Sequence, residues 1–444
     1  MKKIIILAAG KGTRMKSDLP KVLHKLGNVP MLQHVIDNAK LDENAQIILV
    51  VGYGSEQVKE YFGDDVIYAY QEQQLGTGHA VMCAMDHIND DDEVIITYGD
   101  TPLISRKDFE CFEEKKAEGY GALLMTSIVK DPKGYGRIIT KDGLFDSIVE
   151  ERDATDVQRK IQEVNVGTYI IDGALLKRCI ARISNDNDQK EYYVTDVFGF
   201  AKEEAKVSTY SIDEESMLGI NSKDQLSQAE RILRRRINRA HMDHGVSLID
   251  PDTTYIDKSV VIEPDCIIYP NCHLRGDTVI GKGTIIRENT TIEDGKIGSG
   301  CTIRSSTITQ ATVGDHTTVG PYAYLRPKTV VGEHCKIGDF VELKNAKFGN
   351  GSKASHLAYI GDAVIGENVN IGCGVVFVNY DGKNKFTTTI GDHAFVGSNV
   401  NLVAPVEIGA NATLAAGSTI VQDVPENALA IARERQTNKE NWKK

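Results

Sequence analysis

Between residues 256 and 420 a large aliphatic side chain returns at almost every sixth position. A period of six fits neither the α-helix nor a long amphipathic strand, whose periods are about 3.6 and 2 residues. It is typical of a β-helix made of hexapeptide repeats, in which one aliphatic residue per hexad points inward. A sandwich of ordinary strands would space these residues irregularly, so the spacing predicts a parallel β-helix. The series is Ile256, Ile262, Ile268, Leu274, Ile280, Ile286, Ile292, Ile297, Ile303, Ile308, Val313, Val319, Leu325, Val331, Ile337, Leu343, Phe348, Ala354, Ile360, Ile365, Ile371, Phe377, Ile390, Val396, Leu402, Ile408, Leu414 and Ile420.

The first part of the chain, up to about residue 221, alternates short apolar strands with helices. The pattern predicts strands at 4–8, 47–51, 66–70 and 94–97, and helices at 31–39, 55–61 and 79–85. Such alternation indicates a Rossmann-like α/β domain with a mostly parallel sheet covered on both faces. Ligands of these sheets bind beyond the carboxyl ends of the strands. We therefore expect the loops at 9–21 and 99–101 to line a binding site.

A helix from 223 to 244 is predicted to join the two parts. Leu226, Ala229, Leu233, Ile237 and Ala240 share one face at helical spacing. The other face carries several arginines, which a solvated helix surface explains better than a nucleic-acid site in an acidic chain. The predicted domains are residues 1–222, the connecting helix at 223–244 and the β-helix at 245–444.

Charge and cysteine usage limit the classes of function. The formal net charge is −12, whereas proteins that coat nucleic acids or membrane surfaces need a basic face. No apolar run reaches transmembrane length, and the run that follows Lys3 is too short for a signal peptide. The eight cysteines include no C-x-x-C pair, which favours reduced thiols over disulfides or a metal site. We expect a cytoplasmic protein that binds small molecules, not nucleic acid or membranes.

The loop after the first strand carries Gly10 and Gly12 together with the cations Arg14 and Lys21. The glycines let backbone N–H groups approach a phosphate, and the cations can neutralise its charge. The loop is not a Walker A loop, because no Lys-Ser/Thr follows at the required place. It also lacks the third glycine of the dinucleotide fingerprint. A glycine-rich turn alone is as often structural as functional.

The complete string in this loop is more specific. It reads L-x-x-G-x-G-T-x-M over residues 7–15, followed by Pro20-Lys21, and it resembles the signature of the sugar-1-phosphate nucleotidyltransferases. Further stretches that fit this resemblance are residues 71, 74–80, 98–103, 134–137, 148–150, 164–167 and 219–221. The resemblance implies attack by a sugar-1-phosphate oxygen on the α-phosphate of a nucleoside triphosphate, with release of pyrophosphate. Such chemistry depends on alignment and charge neutralisation rather than on a covalent nucleophile.

The same resemblance implies a metal ion. Asp100 taken alone fits a turn or helix cap. In the family's pattern, however, Asp100 and Asn221 together hold Mg²⁺, a hard cation that prefers oxygen ligands. Arg14 and Lys21 would join the metal in neutralising phosphate charge.

The remaining residues of this site are implied in the same way. Those expected to recognise uracil are Gln71, Gly76 and Thr77, and those expected to hold the sugar are Tyr98, Gly136, Glu150 and Asn165. The full set of expected substrate-binding residues is Leu7, Ala8, Ala9, Gly10, Arg14, Lys21, Gln71, Gly76, Thr77, Tyr98, Gly99, Asp100, Gly136, Glu150, Asn165 and Asn221.

Outward-facing polar residues of the β-helix are expected to converge at one place. If three hexads form a coil, as in the left-handed β-helix that this repeat resembles, residues three beats apart stack on one face and their neighbours point outward. Such a stack is Leu325, Leu343, Ile360 and Phe377. The polar residues beside it are Arg326, Lys344, Tyr359 and Asn379, with Asn370 one face earlier and His356 in the turn that leads to Tyr359. Adjacent coils lie about 4.8 Å apart, so these side chains would form one site beside the loop at 378–385.

Hexapeptide β-helices of this kind resemble acyltransferases that use acyl-CoA, usually as trimers with active sites between subunits. Together with the amino-terminal signature, the whole chain resembles the family of bifunctional enzymes that pair an N-acetylglucosamine-1-phosphate uridyltransferase with a glucosamine-1-phosphate acetyltransferase. Residues 324–327, 351–357 and 379–382 carry this resemblance in the second half. It implies a homotrimer that acetylates glucosamine-1-phosphate and then converts the product with UTP into UDP-N-acetylglucosamine.

Carried onto this chain, the family's pattern makes His356 the general base that takes a proton from the glucosamine amine as it attacks the thioester, a task that suits a near-neutral imidazole. The residues expected to bind the sugar phosphate and the acetyl group are Arg326, Lys344, Tyr359, Asn370, Asn379, Tyr380 and Lys385. Those expected to bind acetyl-CoA are Cys373, Ser398, Ala416 and Arg433. Cys373 departs from the pattern, since family members often have Ala there, but a small thiol still permits backbone contact with CoA.

Two other functions stay open from the sequence. The β-helix could only assemble or regulate a monofunctional nucleotidyltransferase, in which case acetyl-CoA would not change the melting temperature. The chain could also be a non-catalytic scaffold, in which case UTP with Mg²⁺ would not bind. The first alternative leaves the polar cluster around His356 without a task, and the second does the same for Asp100 and the loop at 10–21.

Overall fold

The computed structural model describes residues 1–187 and 189–442. The chain divides into two compact units, Met1–Leu233 and Arg234–Lys444, and the boundary falls inside a long helix, Lys223–Asp243. The helix predicted at 223–244 is therefore present, while the predicted domain limits around it stay a prediction. Within residues 1–187 and 189–442, no helix is both long and apolar enough to cross a lipid bilayer.

The amino-terminal unit alternates strands and helices. Its strands are β1 (Lys2–Leu7), β2 (Lys25–Leu26), β3 (Val29–Pro30), β4 (Gln46–Val51), β5 (Ile67–Tyr70), β6 (Glu93–Tyr98), β7 (Ala122–Ile128), β8 (Arg137–Lys141), β9 (Leu144–Val149), β10 (Glu163–Asp172) and β11 (Val207–Ile212). Its helices are α1 (Met31–Ala39), α2 (Ser55–Phe62), α3 (Thr77–Ala84), α4 (Arg106–Lys116), α5 (Gly173–Ile180), α6 (Asp196–Glu204) and the first part of α7 (Lys223–Asp243). Short 3-10 turns lie at Thr13–Met15, Lys21–Leu23, Met85–His87 and Gln158–Lys160. The strands and helices predicted for residues 4–97 are all present.

The main sheet has the strand order β11-β7-β10-β6-β1-β4-β5, with β8 and β9 attached beside β10. Strand β1 is parallel to β4 and β6, β4 is parallel to β5, and β7 is parallel to β11. Strand β10 runs antiparallel to both β6 and β7. The prediction of a mostly parallel sheet is confirmed. The reversed strand follows from the chain between β7 and β10, which contains the hairpin β8–β9 instead of the crossover helix that a parallel neighbour requires.

Successive residues of β1 pack into two different cores, which is why the strand reads as a continuous apolar run. Ile4 and Ile6 lie in one core with side chains from α1 and α4. Ile5 lies in the other core with side chains from α3, α5 and α6. Alternate residues of a strand point to opposite faces, so the sheet is covered on both sides.

The carboxyl ends of β1 and β6 lie side by side. The two strands pair in register, and Leu7 is opposite Tyr98. The loop after β1 and the turn at Gly99-Asp100 therefore leave the sheet at the same edge, where ligands of parallel sheets bind.

The carboxyl-terminal unit begins within α7 and continues as short strands with tight turns, including a 3-10 turn at Pro251–Thr253. The strands are β12 (Ser247–Leu248), β13 (Tyr255–Ile256), β14 (Val261–Ile262), β15 (Ile267–Ile268), β16 (His273–Arg275), β17 (Val279–Ile280), β18 (Ile285–Ile286), β19 (Thr291–Glu293), β20 (Lys296–Ile297), β21 (Thr302–Ile303), β22 (Thr307–Thr309), β23 (Thr312–Val313), β24 (Thr318–Val319), β25 (Tyr324–Leu325), β26 (Val330–Val331), β27 (Lys336–Phe348), β28 (Lys353–Ile365), β29 (Asn370–Ile371), β30 (Val376–Val378), β31 (Thr388–Ile390), β32 (Phe395–Val396), β33 (Asn401–Val403), β34 (Val406–Ile408), β35 (Thr413–Leu414), β36 (Thr419–Ile420) and β37 (Leu429–Ala430).

Most of these strands pair in parallel with the strand three places further on, as a parallel β-helix requires. Strand β13 pairs with β16, β14 with β17 and β15 with β18, and each pairing sets one residue of the hexad series beside the residue three places further on. Every residue of that series is buried, and together they belong to one core. The predicted β-helix is confirmed, and so is the inward direction of its aliphatic residues.

The cysteines divide between core and surface. All eight lie in the described part of the chain and are free thiols. Those buried in the β-helix are Cys266, Cys272, Cys301 and Cys335, whereas Cys373 is exposed. The buried thiols fill space between coils, which accounts for their number without any redox role.

Strands β27 and β28 run through the corners of two adjacent coils without a break. They pair along their length, with Asp339 opposite His356 and Leu343 opposite Ile360. His356 was expected in a turn, but it lies within β28. The corner falls at the next residue, Leu357, whose φ of 30° is in the left-handed region.

A core substitution tests the energetic role of the repeat. Ile303→Ala should lower the free energy of unfolding by about 2–5 kcal/mol, because Ile303 is fully buried and its neighbours on adjacent coils cannot collapse into the cavity. Urea denaturation followed by circular dichroism measures this change. The control is Thr302→Ala on the outward side of the same strand, which should change stability by about 0.5 kcal/mol or less. Equal losses in the two variants would contradict the inward assignment.

Candidate active sites

The carboxyl ends of β1, β5 and β6 open onto a cleft of about 330 Å³ in the amino-terminal unit. The residues that line it are Leu7, Ala8, Ala9, Gly10, Lys21, Val22, Gln71, Gln74, Gly76, Thr77, Ala80, Tyr98, Asp100 and Glu191. Most of these were expected from the sequence. Val22 and Glu191 were not, and Gln74 and Ala80 lie in the stretch 74–80 that fits the resemblance but had been given no role.

The loop after β1 keeps its backbone accessible to a ligand. Gly10 has open space where a side chain would begin. At Gly12 φ is +58°, and a Cβ there would lie only 2.7 Å from Cβ of Lys21. This glycine therefore lets the loop fold back onto Lys21, and Arg14 is exposed in the 3-10 turn beyond it. The conformation of the loop is compatible with the predicted approach of N–H groups and two cations to a phosphate, and that role stays a prediction.

Two oxygen atoms converge on one cation at the cleft. The Lys21 Nζ donates hydrogen bonds to Asp100 Oδ2 and, at 3.0 Å, to Asn221 Oδ1. Asn221 is brought here because the Ile220 N–H donates to the Asp100 carbonyl oxygen at 2.9 Å. A carboxylate oxygen and an amide oxygen that share one positive charge are ligands that suit Mg²⁺. Water and substrate phosphates complete the coordination shell of this ion. Among the described residues, no group of three His, Cys, Asp or Glu forms an alternative metal site.

Gln71 is fixed at the opposite side of the cleft. Its Nε2 lies 3.0 Å from the Gly76 carbonyl oxygen and 3.2 Å from His79 Nδ1. Gly76 has φ of 104°, and a Cβ there would come within 2.5 Å of the Tyr192 carbonyl oxygen, so no other residue fits. Thr77 then starts α3, and its Oγ1 accepts a hydrogen bond from the Val194 N–H at 3.1 Å. A rigid amide beside a half-buried glycine backbone that lines the cleft suits hydrogen bonding to a planar base.

The expected sugar-binding residues gather around Tyr98. The ring of Tyr98 occupies the space where a Cβ of Gly167 would lie, at 2.0 Å. A Cβ at Gly136 would be 3.4 Å from both carboxylate oxygens of Glu150. The Asn165 N–H donates to the Gly136 carbonyl oxygen at 2.8 Å, and Asn165 Oδ1 accepts from the Gly167 N–H at 3.1 Å. Tyr98 also lines the cleft, so this group adjoins it.

Burial shifts the protonation of two groups here. Burial, followed by the negative charges of Glu150 and Asp100, raises the pKa of Tyr98, which keeps its phenol protonated as a hydrogen-bond donor. Burial also raises the pKa of Glu150, although a hydrogen bond from the Thr195 hydroxyl at 3.3 Å opposes this shift. A desolvated carboxylate gains most from an added donor, and a sugar hydroxyl is one.

On the β-helix, His356 and Asp339 face each other across adjacent coils. His356 Nδ1 lies 2.9 Å from Asp339 Oδ1, and the imidazole is 61% exposed. A carboxylate at one ring nitrogen fixes the tautomer that carries its proton on Nδ1 and leaves Nε2 as an acceptor. The pair has the arrangement of a general base with an orienting carboxylate.

Three cations gather on the outer face nearby. The Lys344 and Lys385 side chains meet, and this contact together with the charge of Lys344 lowers the pKa of Lys385. Arg326 lies one coil before Lys344, and its guanidinium donates to Glu342 Oε1 at 2.8 Å, which raises the pKa of Arg326. Positive charge concentrated in this way within an acidic chain fits an anionic ligand.

Gly361 leaves space for the side chains of Tyr359 and Asn379, two residues that were predicted to bind the sugar. It lies opposite Lys344 on the next coil. A Cβ at Gly361 would lie 2.5 Å from the Tyr359 hydroxyl oxygen and 2.8 Å from Asn379 Nδ2. Tyr359 and Asn379 therefore lie together over a bare stretch of backbone beside the lysine pair.

The loop that interrupts the repeat carries Tyr380 and Lys385. Asp381 accepts hydrogen bonds from the Lys383 and Asn384 N–H groups at 2.7 and 2.6 Å, and an isolated bridge joins Tyr380 to Lys385. This tight turn returns Lys385 to Lys344, while Tyr380 is exposed beside it.

The predicted acetyl-CoA residues form one column. Cys373, Ser398 and Ala416 occupy equivalent positions on successive coils and are all exposed. The Gly417 N–H donates to the Ser398 carbonyl oxygen at 2.8 Å, which ties neighbouring turns together. Arg433 Cδ lies 3.9 Å from the Cβ position of Gly417, so Arg433 extends the same column. Asn370 is separate, on β29 one face before the lysine pair, as expected.

Sequence reasoning missed several carboxylates of the second site. Asp339 stands seventeen residues before His356, and Asp362 stands seventeen residues after Asn345 and before Asn379. One coil has seventeen residues in this region, so aligning successive coils in the sequence would have indicated both Asp339 and Asp362. Glu342 has the same signal, one coil before Tyr359.

Two family models match the chain in different halves. The model described as a MobA-like NTP transferase domain matches residues 4–128. The model described as bacterial transferase hexapeptide (six repeats) matches residues 259–294, 310–345 and 387–422. These matches fall on the α/β unit and the β-helix respectively.

Curated relatives match the chain along its whole length. The protein of Alkaliphilus oremlandii named "Bifunctional protein GlmU" is 51% identical over 446 residues, which covers 100% of this chain and 98% of the relative. Proteins with the same name from Clostridioides difficile and Alkaliphilus metalliredigens are 50% and 49% identical, and both alignments cover 99% of this chain and 97% of the relative.

Two adjacent carboxylates of the first site should show opposite effects on stability. Burial raises the pKa of Glu150. The ionised side chain therefore destabilises the fold at pH values well above this raised pKa. At pH values below the ordinary carboxyl pKa the effect is absent, because the side chain is protonated in both the folded and the unfolded state. Glu150→Gln should therefore raise the melting temperature at pH 8, and this gain should shrink towards pH 5. The Arg137 and Gly134 hydrogen bonds lower the pKa of Glu151, so its stabilisation is present at neutral pH and lost in acid.

Glu151→Gln is thus the matched control. It should lower the melting temperature at pH 8, and this loss should stay nearly constant down to pH 5, because Glu151 loses its charge only below the ordinary carboxyl pKa. Differential scanning fluorimetry across pH 5–8 measures both series, and shifts of the same sign would contradict the assigned environments.

Proposed function

The chain belongs to the family of bifunctional GlmU proteins, and from that premise we propose how its residues divide the work of two active sites. It is an enzyme with a nucleotidyltransferase domain at its amino terminus and a hexapeptide acetyltransferase domain at its carboxyl terminus. The reactions are acetylation of glucosamine-1-phosphate by acetyl-CoA and then uridylyl transfer from UTP, which gives UDP-N-acetylglucosamine and pyrophosphate.

The observation that carries the assignment of acetyl transfer is the pairing of His356 with Asp339 at 2.9 Å. Asp339 keeps the imidazole proton on Nδ1, so Nε2 can take a proton from the attacking amine. The amine nitrogen forms a bond to the thioester carbonyl carbon, and the carbon–sulfur bond then breaks. The thiolate of CoA leaves and accepts a proton. A β-helix that served only for assembly would not need this pair beside a cluster of cations.

The anionic parts of both substrates meet cations in this proposal. The residues assigned to the phosphate of glucosamine-1-phosphate are Arg326, Lys344 and Lys385, whose meeting on one face supports the role. The residues assigned to the sugar and the acetyl group are Tyr359, Asn370, Asn379 and Tyr380. The column assigned to acetyl-CoA is Cys373, Ser398, Ala416 and Arg433.

For uridylyl transfer we assign Asp100 and Asn221 to a Mg²⁺ ion, because their oxygens already share one cation. The metal, when bound, supplies charge neutralisation to the triphosphate. Arg14 and Lys21 bind phosphate oxygens and hold the α-phosphate in line with the attacking sugar-phosphate oxygen. The backbone of the loop at residues 7–10 and the turn at Gly99 shape this part of the cleft.

Recognition of the two organic groups is assigned to the opposite sides of the cleft. Gln71, Gly76 and Thr77 bind uracil. The sugar is assigned to Tyr98, Gly136, Glu150 and Asn165, in which the desolvated carboxylate of Glu150 accepts from a hydroxyl group.

We also propose that the protein is a homotrimer that acts in the cytoplasm on small-molecule substrates, without nucleic-acid or membrane partners. Tyr322 and Phe340 stack at 5.5 Å and are 63% and 58% exposed, and Leu357, 58% exposed, continues their column on the next coil. An exposed apolar column next to His356 supports a subunit interface at this site. The free thiols fit a reducing compartment.

The first test is a coupled assay with glucosamine-1-phosphate, acetyl-CoA, UTP and Mg²⁺, in which the sugar nucleotide is detected by mass. His356→Ala should reduce acetyl transfer by about 10²–10⁴-fold, because the amine loses its general base. Product should return when N-acetylglucosamine-1-phosphate is supplied. Asp339→Asn should cause a smaller loss of acetyl transfer, since the imidazole remains but loses its orienting carboxylate.

Unmutated protein is the control: it should make the sugar nucleotide in the complete assay and none from glucosamine-1-phosphate when acetyl-CoA is omitted. If it makes product only from the acetylated sugar even when acetyl-CoA is present, the β-helix does not catalyse acetyl transfer. If His356→Ala damages both reactions equally, the two-site assignment is wrong.

Asp100→Ala should have the reverse effect. Acetyl transfer should be unchanged, while uridylyl transfer falls and binding of Mn²⁺, measured by electron paramagnetic resonance in the presence of UTP, is lost. Asp86→Ala, an exposed acidic residue on a 3-10 turn of the same domain, is the control and should bind Mn²⁺ normally. Unchanged metal binding in the Asp100 variant would remove Asp100 from the metal site.

A further inference from the structure

Asp362 is a buried carboxylate in the proposed acetyltransferase site, and it belongs neither to the catalytic pair nor to the residues assigned to the substrates. Only 9% of the residue is exposed. Its Oδ1 accepts a hydrogen bond from Asn345 Nδ2 at 2.7 Å, and its Oδ2 accepts from Asn379 Nδ2 at 2.5 Å. The Lys344 Nζ lies 3.7 Å from the same Oδ2. Asp362 thus contacts two of the residues assigned to the substrate.

Coil stacking places this carboxylate between the two amides. Leu343 lies opposite Ile360, and the Phe377 position follows on the next coil, so Asn345, Asp362 and Asn379 form one column over three coils. Asn345 and Asp362 have φ of 47° and 49°, a left-handed corner conformation that Asn and Asp adopt more readily than most residues. This corner conformation fixes the position of the carboxylate relative to the coil.

The charges around Asp362 explain why it stays ionised although it is buried. Burial acts to raise its pKa, but the hydrogen bonds from Asn345 and Asn379 and the charges of Lys344 and Lys385 outweigh burial and hold the pKa below its ordinary value. A buried carboxylate is stable only when it is paired in this way.

Asp362 also relieves a conflict between the two lysines. Lys344 and Lys385 are like charges in contact, and the repulsion favours moving them apart. The negative charge of Asp362, whose Oδ2 lies 3.7 Å from Lys344 Nζ, offsets that repulsion in the absence of substrate. It also holds the Asn379 amide over Gly361, beside the Tyr359 hydroxyl.

We propose that Asp362 is a positioning residue for the acetyl acceptor, which holds Lys344 and Lys385 for the phosphate of glucosamine-1-phosphate and Asn379 for its sugar, without itself contacting the substrate. This inference rests on the proposed function of the site. It makes the affinity for the sugar phosphate, and not the chemical step at His356, depend on Asp362.

The test is the kinetics of Asp362→Asn in the full-length protein. The KM for glucosamine-1-phosphate should rise by about tenfold or more, the range expected when hydrogen bonds to a charged group are lost. The KM for acetyl-CoA and the rate of uridylyl transfer should not change, and kcat for acetylation should fall much less than kcat/KM. Inorganic phosphate, used as a competitive inhibitor of acetylation, should lose affinity in parallel.

Two further variants make the result specific. Asn345→Ala removes one donor to Asp362 and leaves both lysine side chains unchanged in chemistry, so it should raise the same KM by a smaller factor. Asp392→Asn removes an equal charge from an exposed turn, where the carboxylate accepts a hydrogen bond from the Glu367 N–H at 2.8 Å, and should leave all constants unchanged.

The outcomes separate this inference from the proposed function. If the unmutated protein does not acetylate glucosamine-1-phosphate, the proposed function itself fails. If it does, and Asp362→Asn leaves the KM for the sugar phosphate unchanged or changes kcat alone, the inference is overturned. If Asp362→Asn does not fold, Asn345→Ala decides: a selective rise in this KM supports the positioning role, and its absence overturns it.

Discussion

Parallel pairing between successive coils is the constraint on which the second half of the molecule depends. Each hexad buries one aliphatic residue, and in-register pairing such as Leu343 with Ile360 fixes the position of every outward neighbour. A slip of one residue would turn the inward set outward, so burial holds the register strongly. Arg326 and Lys344 are far apart in sequence, yet they lie on neighbouring coils because each follows an inward residue of the same stack. Asn379 lies two residues after Phe377 of that stack, and the loop at 378–385 adds Tyr380 and Lys385 to the cluster.

The amino-terminal domain meets the same requirement by a different route. Leu7 and Tyr98 end two parallel strands in register, so the segments that follow them leave the sheet together. Short contacts then close the cleft, such as the Ile220 N–H with the Asp100 carbonyl oxygen, which brings Asn221 to its place. Here the sheet supplies one edge and loops supply most of the ligands. In the β-helix the strands and their corners carry nearly all of them.

The difference between the two architectures explains how much the sequence could predict. The hexad period predicted the β-helix and the inward direction of residues such as Ile303, because burial in a parallel coil leaves a strict spacing in the sequence. Alternating strands and helices predicted the α/β sheet, but not the reversed β10, since a hairpin in place of a helix leaves only a weak pattern. The site residues of the first domain came from a motif, and the cleft brings most of them together.

The residues that sequence reasoning did not find act on other residues rather than on the expected substrates. Asp339 contacts His356, Asp362 contacts Asn379, and Gln74 Nε2 donates to the Ala9 carbonyl oxygen at 2.7 Å. A motif marks residues by their chemistry towards a ligand, and it carries little information about their supports. Coil register would have indicated the first two. The contact of Gln74 depends on how two loops fold against each other, which no spacing in the sequence records.

Both sites hold cations in a chain of net charge −12 by pairing them with carboxylates of their own. The two carboxylate side chains are similarly buried, 17% exposed for Asp100 and 11% for Asp362, but they differ in their other partners. Asp100 lines an open cleft, and in the proposed function its oxygen passes to a divalent metal, which frees Lys21 for the phosphates. Asp362 is enclosed by Asn345 and Asn379 and has no such exchange available. In the proposed function the lysines of the second site keep their positions when substrate binds, so this site is preorganised, whereas the first site would be completed by a metal and the nucleotide.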